Sequence, residues 1–325
     1  MKGKFNLAVK NNRISYELSI ERNITVIQGN SGSGKTYLIS LLRDWKANGK
    51  DSGVSVKCEC NIEVFDGLTR WESFISELKN TIIFVDEGVR YIYTQEFAEY
   101  FLLSDCYLVF ISRRVFPRIN NLPFAVNALL KFETNRSSTP VATTANVIYQ
   151  EECENIIPEI LITEDSNSGF EFMNEAYKDA GIQVISAGGN SNVPKKALSY
   201  AKENKRVCAI VDGAAFGNYI GQMMDLKKFN VHVFTPESFE WLLLNTKMFA
   251  KNPVIMEQLR ETYNHCDSKE FITWERFYEY VLKTVADEMY NVVYSKKTLD
   301  KIFLTDKILE EVKEIIKGLQ VKGEK

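Results

Sequence analysis

The chain has 325 residues, about twice a typical single domain of about 150 residues, so we expect two domains. Its 45% hydrophobic and 26% charged residues are typical of a soluble globular protein and exclude disordered, collagen-like and coiled-coil classes. The formal net charge of −3 excludes a uniformly basic surface, so nucleic acid would have to bind a local patch. No segment approaches the roughly 18 apolar residues of a membrane span, and the amino terminus lacks a secretory signal. We therefore expect a cytoplasmic protein with no membrane partner.

The cysteines and histidines of the chain limit which metal ions it could bind. Cys58 and Cys60 lie one residue apart, but no second cysteine pair stands at the spacing of a zinc site, so we predict buried thiols. The chain has only two histidines. A bound metal must therefore rest mainly on carboxylates, which favours magnesium, manganese or calcium over zinc.

A glycine-rich octapeptide follows a predicted β-hairpin (4–23) and a short β-rich run (23–28), and it precedes a helical pattern (37–45). This strand–loop–helix context is the one that the G-x-x-x-x-G-K-[ST] motif requires. Glycines let backbone N–H groups point at phosphate, and the helix N-terminus adds partial positive charge. The predicted nucleotide-binding residues are Gly29, Asn30, Ser31, Gly32, Ser33, Gly34, Lys35 and Thr36.

Two further strand ends complete this pattern. An apolar run (81–85) ends in Asp86 and Glu87, which we predict to hold magnesium and to polarise the attacking water, respectively. Lys35 is predicted to reach the β- and γ-phosphates, and Thr36 to ligate the same magnesium ion. The next strand (107–111) ends in Ser112, followed by arginines 113, 114 and 118. These arginines fit an arginine finger in a homo-oligomer, a phosphate contact or a solvated strand end.

These motifs resemble the Walker A and Walker B boxes of P-loop NTPases that carry a catalytic glutamate, over residues 1–135. The resemblance implies a parallel sheet that binds ATP and Mg²⁺, with Lys35 and Glu87 catalytic and Ser112 sensing the γ-phosphate. An LSGGQ-like signature is absent, which argues against a standard ABC-type ATPase. The absence of an N-K-x-D guanine-reading motif favours ATP over GTP.

A small-polar stretch with one proline predicts a linker at residues 136–150. A second βα rhythm follows, with strands at 159–163, 182–187, 206–211 and 230–234, and it predicts a parallel sheet. Because such sheets bind ligands beyond the carboxyl ends of their strands, acids near those ends predict a magnesium site. The predicted ligands are Glu164, Asp165, Asp212 and Glu240.

The order of these features resembles the Toprim domain of topoisomerases, primases and overcoming-lysogenization-defect (OLD) nucleases, over residues 155–245. That resemblance implies cleavage of DNA or RNA with Mg²⁺, or with Mn²⁺ at this second site. Ala214 stands where the family has its second aspartate, so Asp165 would have to supply the missing ligand. OLD-type nucleases also carry a late lysine, but the local match at Lys296 is too weak to assign one.

The predicted architecture is therefore α/β: a P-loop NTPase sheet (1–135), a linker (136–150), a Toprim-like domain (151–245) and a helical C-terminal region (246–325). An apolar stripe at positions 309, 312, 315, 316 and 319 predicts a tail helix that packs on the second domain or mediates dimerisation.

The leading hypothesis is an ATPase coupled to a magnesium-dependent nuclease, and the OLD resemblance implies a role in anti-phage defence. The alternatives are a nucleotide-gated switch, whose degenerate second domain only binds nucleic acid or a partner protein, and a small-molecule P-loop kinase. Residues 43–60 lack the arginine-rich lid that such kinases carry, which ranks the kinase last.

Overall fold

The computed structural model describes residues 1–29, 32–67, 70–119, 121–149, 156–316 and 318–320. The chain separates into two compact units, and both are mixed α/β. Unit 1 comprises Met1–Gln150 and Tyr263–Thr273, and unit 2 comprises Glu151–Thr262 and Trp274–Lys325. Among the described residues, no helix is both long and apolar enough to cross a membrane.

Unit 1 is built on one mixed β-sheet. The α-helices of its Met1–Gln150 part are α1 (Lys35–Asn48), α2 (Trp71–Ser76) and α3 (Gln95–Phe101). Its strands are β1 (Phe5–Lys10), β2 (Ile14–Ile20), β3 (Ile24–Gln28), β4 (Ser55–Lys57), β5 (Asn61–Phe65), β6 (Lys79–Asp86), β7 (Asp105–Ser112), β8 (Leu129–Asn135) and β9 (Val141–Val147).

The sheet of unit 1 has the strand order β4-β1-β2-β9-β8-β3-β7-β6-β5. Strands β8, β3, β7, β6 and β5 are parallel to one another, and β1 and β2 form the predicted antiparallel hairpin. The central part of β6 is buried throughout, as expected for a parallel strand that is covered on both faces. Helix α1 packs its predicted apolar face, which includes Leu38 and Leu42, on this sheet.

The linker predicted at 136–150 is a strand for half of its length. β9 pairs in parallel with β2 and antiparallel with β8, so these residues belong to the sheet of unit 1. Small polar residues suggested a linker, but Val141, Thr143 and Val147 are β-branched and suit a pleated, half-buried surface.

Unit 2 is built on a smaller sheet with helices packed on it. Its strands are β10 (Ile160–Thr163), β11 (Gln183–Ser186), β12 (Val207–Ile210) and β13 (Val231–Phe234). The helices from here to the end of the chain are α4 (Ser168–Ala176), α5 (Val193–Lys202), α6 (Gly217–Leu226), α7 (Phe239–Leu244), α8 (Pro253–Arg260), α9 (Thr262–His265), α10 (Trp274–Tyr290) and α11 (Asp306–Ile315).

The sheet of unit 2 is parallel, as its βα rhythm predicts, with the strand order β11-β10-β12-β13. The carboxyl ends of β10 and β12, next to each other in the middle of the order, therefore meet at one edge. The tail helix α11 packs against α4 and α7, and its buried residues include Leu309 and Val312, so its apolar stripe packs within unit 2. The helix ends at Ile315, and Leu319 instead forms a bridge to Ile156.

The predicted helical region 246–325 is interrupted by a segment that belongs to unit 1. Within Tyr263–Thr273, the carbonyl of Tyr263 accepts a hydrogen bond from the N–H of Gly3 (2.7 Å). The carbonyls of Phe271 and Ile272 accept from the Asn23 side chain (2.9 and 3.0 Å). These partners are about 250 residues away in sequence, which is why local periodicity gives no sign of the pairing.

Candidate functional site

The glycine-rich loop of unit 1 lies between β3 and α1, and its backbone requires glycine. Gly32 and Gly34 have φ angles of 89° and 86°, which side-chain-bearing residues rarely adopt. A Cβ atom at Gly34 would lie 2.6 Å from the Tyr16 hydroxyl, which donates a hydrogen bond to the Gly34 carbonyl (2.8 Å). Two other predicted loop residues, Asn30 and Ser31, lie outside the described residues.

Lys35 is the buried first residue of α1, and its ammonium is held by the loop itself. The Nζ atom donates to the Gly29 carbonyl (2.5 Å) and to the Ser33 hydroxyl (2.6 Å). Burial lowers the pKa of the Lys35 ammonium, and the charge of Glu87 opposes this shift. Thr36 follows as an exposed residue of the first helical turn.

The acids predicted from the second motif lie at the same sheet edge as this loop. Asp86 ends β6 and is paired in register with Ile111 of β7, and Ser112 ends β7 opposite Gln28, the last residue of β3. Since β3, β7 and β6 are parallel neighbours, their carboxyl ends lie side by side. Charges on Asp86 and Glu87 act on the Lys35 ammonium, so all three predicted elements converge.

Glu87 is held by the end of β7. Its Oε2 atom accepts hydrogen bonds from the Ser112 hydroxyl (3.1 Å) and from the N–H of Arg113 (2.7 Å). Its Oε1 atom lies 3.7 Å from Nε of Arg113, a largely exposed and therefore weak ion pair. Ser112 thus contacts the carboxylate directly, a relation that the sequence did not reveal.

The second group of predicted residues lies at the carboxyl edge of the unit 2 sheet. Glu164 follows β10, Asp212 lies two residues beyond β12, and Glu240 is in the first turn of α7. Oε2 of Glu164 accepts from the N–H of Asp212 (3.2 Å), and Oδ1 of Asp212 accepts from the N–H of Phe239 (3.0 Å). Backbone donors therefore hold two of these acids at the edge.

Glu240 is almost fully buried, with 1% of its surface exposed. Its Oε1 atom accepts a hydrogen bond from the Tyr294 hydroxyl (2.9 Å). Its Oε2 atom is also buried, and no described residue donates a hydrogen bond to it. A buried carboxylate oxygen without a donor is costly, and a positive ligand bound to it would lower that cost.

Burial dominates the titration of these acids. It raises the pKa of Glu164 to about 8, with further contributions from the charges of Glu275 and Asp165. Burial and the charge of Glu164 raise the pKa of Asp212 well above its ordinary value. Burial also raises the pKa of Glu240, against the opposing charge of Lys296. The edge therefore resists carrying several negative charges at once.

Lys296 is the principal residue that sequence reasoning did not assign. Its Nζ atom donates to Glu275 (2.7 Å) and lies 3.5 Å from both Glu240 and Glu279. Glu275 and Glu279 are four residues apart on α10 and therefore share a face. That spacing was visible in the sequence, but Lys296 lies outside regular helix or strand and has no periodic signal.

Asp165 has a different surrounding from the other three predicted ligands. Its Oδ1 atom accepts a hydrogen bond from the N–H of Phe170 (3.2 Å), near the start of α4. Among the described residues, no group of three or more His, Cys, Asp or Glu side chains is arranged as a metal site. Metal binding at this edge therefore stays a prediction.

Comparison with models of known protein families finds no match for this chain, and a search of curated proteins finds none of significant similarity.

Proposed function

We propose that the protein hydrolyses ATP in unit 1 and cleaves nucleic acid with a divalent cation in unit 2. The observation that carries the first half is the convergence of Lys35, Glu87 and Ser112 at one sheet edge. These residues belong to three separate sequence motifs. A glycine loop that only connects a strand to a helix would not require an acidic residue beside it.

In this proposal the buried Lys35 ammonium neutralises the β- and γ-phosphates, and the loop N–H groups bind phosphate oxygens. Thr36 and Asp86 would hold a magnesium ion, because Thr36 follows Lys35 in the first turn of α1 and the charge of Asp86 acts on the Lys35 ammonium. The ion would spread the negative charge that develops on the phosphates. Glu87, held through Oε2 by Ser112 and Arg113, orients the attacking water and accepts its proton.

The unpartnered Oε2 atom of Glu240 supports a cation in unit 2. Glu164, Asp212 and Glu240 would hold Mg²⁺ or Mn²⁺, which would polarise a phosphodiester and its attacking water. The Lys296 ammonium lies 3.5 Å from Glu240 and would compensate negative charge on the bound strand. The OLD resemblance extends this proposal to anti-phage defence.

A second candidate function is the nucleotide-gated switch. It is favoured by the hydrogen bonds that Asp212 and Asp165 already accept from backbone N–H groups of Phe239 and Phe170. Acids used in this way stabilise the fold, and Ala214 removes a further ligand. Unit 2 would then bind nucleic acid or a partner protein without cleaving anything.

One experiment tests both halves with paired variants of the full chain. Lys35→Ala should lower phosphate release from ATP about a hundredfold or more, since a charged phosphate contact is lost. Lys46→Ala is the control, because Lys46 lies on the same helix in a surface ion pair with Glu63. Unchanged hydrolysis in Lys35→Ala would remove the ATPase proposal.

The same preparations are assayed for cleavage of plasmid DNA and single-stranded RNA with Mg²⁺ or Mn²⁺. Glu240→Gln should lose cleavage and keep ATP hydrolysis within about twofold, because its site is in the other unit. Glu257→Gln, an exposed acid on α8, should keep both activities. A wild-type protein that hydrolyses ATP but cuts neither polymer would favour the switch.

A further inference from the structure

The β1–β2 hairpin contacts the glycine loop and the helix behind it at two points. Within strand β2, Tyr16 supports the loop through its hydrogen bond to Gly34. At the hairpin turn, Nδ2 of Asn11 donates to the Tyr37 hydroxyl (3.0 Å). The second contact involves no residue of the loop itself, and the ATP hydrolysis steps above do not use it.

Tyr37 is fixed in position but exposed. It follows Lys35 by two residues in the first turn of α1, and 39% of its surface is accessible. Its partner Asn11 is itself held, because Oδ1 of Asn11 accepts the N–H groups of Arg13 and Ile14 (both 2.9 Å). A planar ligand could therefore stack on the Tyr37 ring, which the Asn11 amide holds in place next to the glycine loop.

The strand order indicates which end of a nucleotide lies near Tyr37. Strands β7 and β6, which carry Ser112, Asp86 and Glu87, lie on one side of β3, and the β1–β2 hairpin lies on the other. The γ-phosphate must face Glu87 to be hydrolysed. The nucleoside, at the opposite end of the triphosphate, is therefore directed toward the hairpin side.

We propose that Tyr37 is the base-stacking residue of the nucleotide site and that Asn11 is the residue that positions its ring. This inference rests on the proposed binding of a nucleoside triphosphate at the glycine loop. Stacking uses the π-face that every base has, so Tyr37 adds affinity for the nucleoside without choosing between purines. The substrate class is a nucleoside triphosphate, and selection among the bases must come from other contacts.

Binding measurements with two probes isolate the base from the phosphates. The probes are the non-hydrolysable β,γ-imido analogue of ATP and inorganic tripolyphosphate, each with Mg²⁺ and the full chain. Tyr37→Ala should weaken binding of the analogue about tenfold, the size expected for loss of one base–aromatic stack. Binding of tripolyphosphate, which has no base, should stay within twofold.

Two matched variants separate the ring from its hydroxyl. Tyr37→Phe keeps the ring and should bind the analogue within about threefold of wild type, and Asn11→Ala should match it, because both remove one exposed hydrogen bond. In a Tyr37→Ala background, Asn11→Ala should have no further effect. Tyr91→Ala, which removes an exposed tyrosine of the same unit, should leave both affinities unchanged.

The failures of the two proposals are distinguishable. If wild-type protein binds neither probe, the glycine-loop proposal fails and the base subsite fails with it. If wild type binds both probes and Tyr37→Ala leaves the affinity for the analogue unchanged, only the base subsite is overturned. An equal loss of both probes in Tyr37→Ala would also overturn it, since Tyr37 would then be a structural support of the loop.

Discussion

Glu87 is the residue whose two carboxylate oxygens have separate tasks. Oε2 accepts hydrogen bonds from the Ser112 hydroxyl and the Arg113 N–H, which fix the plane of the group. Oε1 is approached by the exposed Arg113 guanidinium at the longer distance of 3.7 Å. In the proposed mechanism, Oε1 is therefore the oxygen that receives the proton from the attacking water.

Glu87→Gln should separate binding from hydrolysis. The amide oxygen can still accept both hydrogen bonds, but the amide nitrogen cannot accept a proton, so hydrolysis should fall about a hundredfold or more. Affinity for ATP should stay within about threefold, since Lys35 and the loop are unchanged. Single-turnover phosphate release and retention of labelled ATP through gel filtration measure the two properties.

Glu17→Gln is the matched control, because Glu17 is an exposed acid of the same unit on β2. It should hydrolyse ATP at the wild-type rate. Wild-type turnover in Glu87→Gln would contradict the assignment and leave Glu87 as a support for the end of β7.

At the level of elements, Asp212 connects the loop after β12 to the start of α7. Its Oδ1 atom accepts the N–H of Phe239, the first residue of that helix, while Ser238 caps the helix through Trp241. In metal-free buffer, Asp212→Ala should be less stable than Asp212→Asn by about 1–3 kcal/mol, because only the amide retains an acceptor. Thermal unfolding in EDTA measures this difference.

Repeating the same unfolding measurement with millimolar Mg²⁺ or Mn²⁺ tests the proposed metal role of Asp212. The wild-type transition should move to higher temperature, because a cation bound only to the folded state stabilises it by mass action. The same cations should raise the unfolding temperature of either Asp212 variant by less than they raise that of the wild type. Equal stability of the two variants would show that the hydrogen bond to α7 contributes little, and equal metal responses would remove Asp212 from the ligand set.

Elements with a strong local pattern were predictable from the sequence. Strands β6, β7, β10 and β12 are short apolar runs, and the glycine loop lies between a strand and a helix as its motif requires. Because parallel strands share a carboxyl edge, the convergence of Glu87 and Ser112 with the loop also follows from the sequence. The second acidic edge follows in the same way.

Features that depend on distant partners were not predictable. The sequence of β9 resembles a linker, and only its pairing with β2 and β8 identifies it as a strand. The segment Tyr263–Thr273 belongs to unit 1, whose other residues precede it by more than a hundred positions. Lys296 reaches Glu240 from an irregular segment. In each case the stabilising contact is non-local, so no window of sequence contains its signal.

On the scale of the whole molecule, the two units differ in the basic residues that compensate the acidic side chains at the sheet edge. In unit 1, the acids face a buried lysine and exposed arginines at the end of β7. In unit 2, Glu240 is fully buried and Glu164 and Asp212 are partly buried, and the Lys296 ammonium lies among Glu240, Glu275 and Glu279. A dependence of stability on pH near neutrality is therefore expected of unit 2.

Glu164 determines the sign of that dependence. Its pKa is raised from an ordinary 4.5 to about 8 in the folded protein, mainly by burial. Between these pH values the folded state holds a proton that the unfolded state has released. The resulting stabilisation is complete below pH 4.5 and is lost as the pH rises through 8. The pKa values of Asp212 and Glu240 are raised in the same direction, whereas Lys296 stays charged throughout this range.

In metal-free buffer, the melting temperature of unit 2 should therefore fall by several degrees between pH 5 and pH 8, as measured by calorimetry in EDTA. Glu164→Gln should flatten this profile, because it removes the carboxyl whose pKa is raised to about 8. Glu257→Gln, an exposed acid, should keep it. Millimolar Mg²⁺ should also flatten the profile, since a bound cation favours the ionised carboxylates. A melting temperature that rises with pH, or a slope unchanged in Glu164→Gln, would contradict a buried, protonated edge.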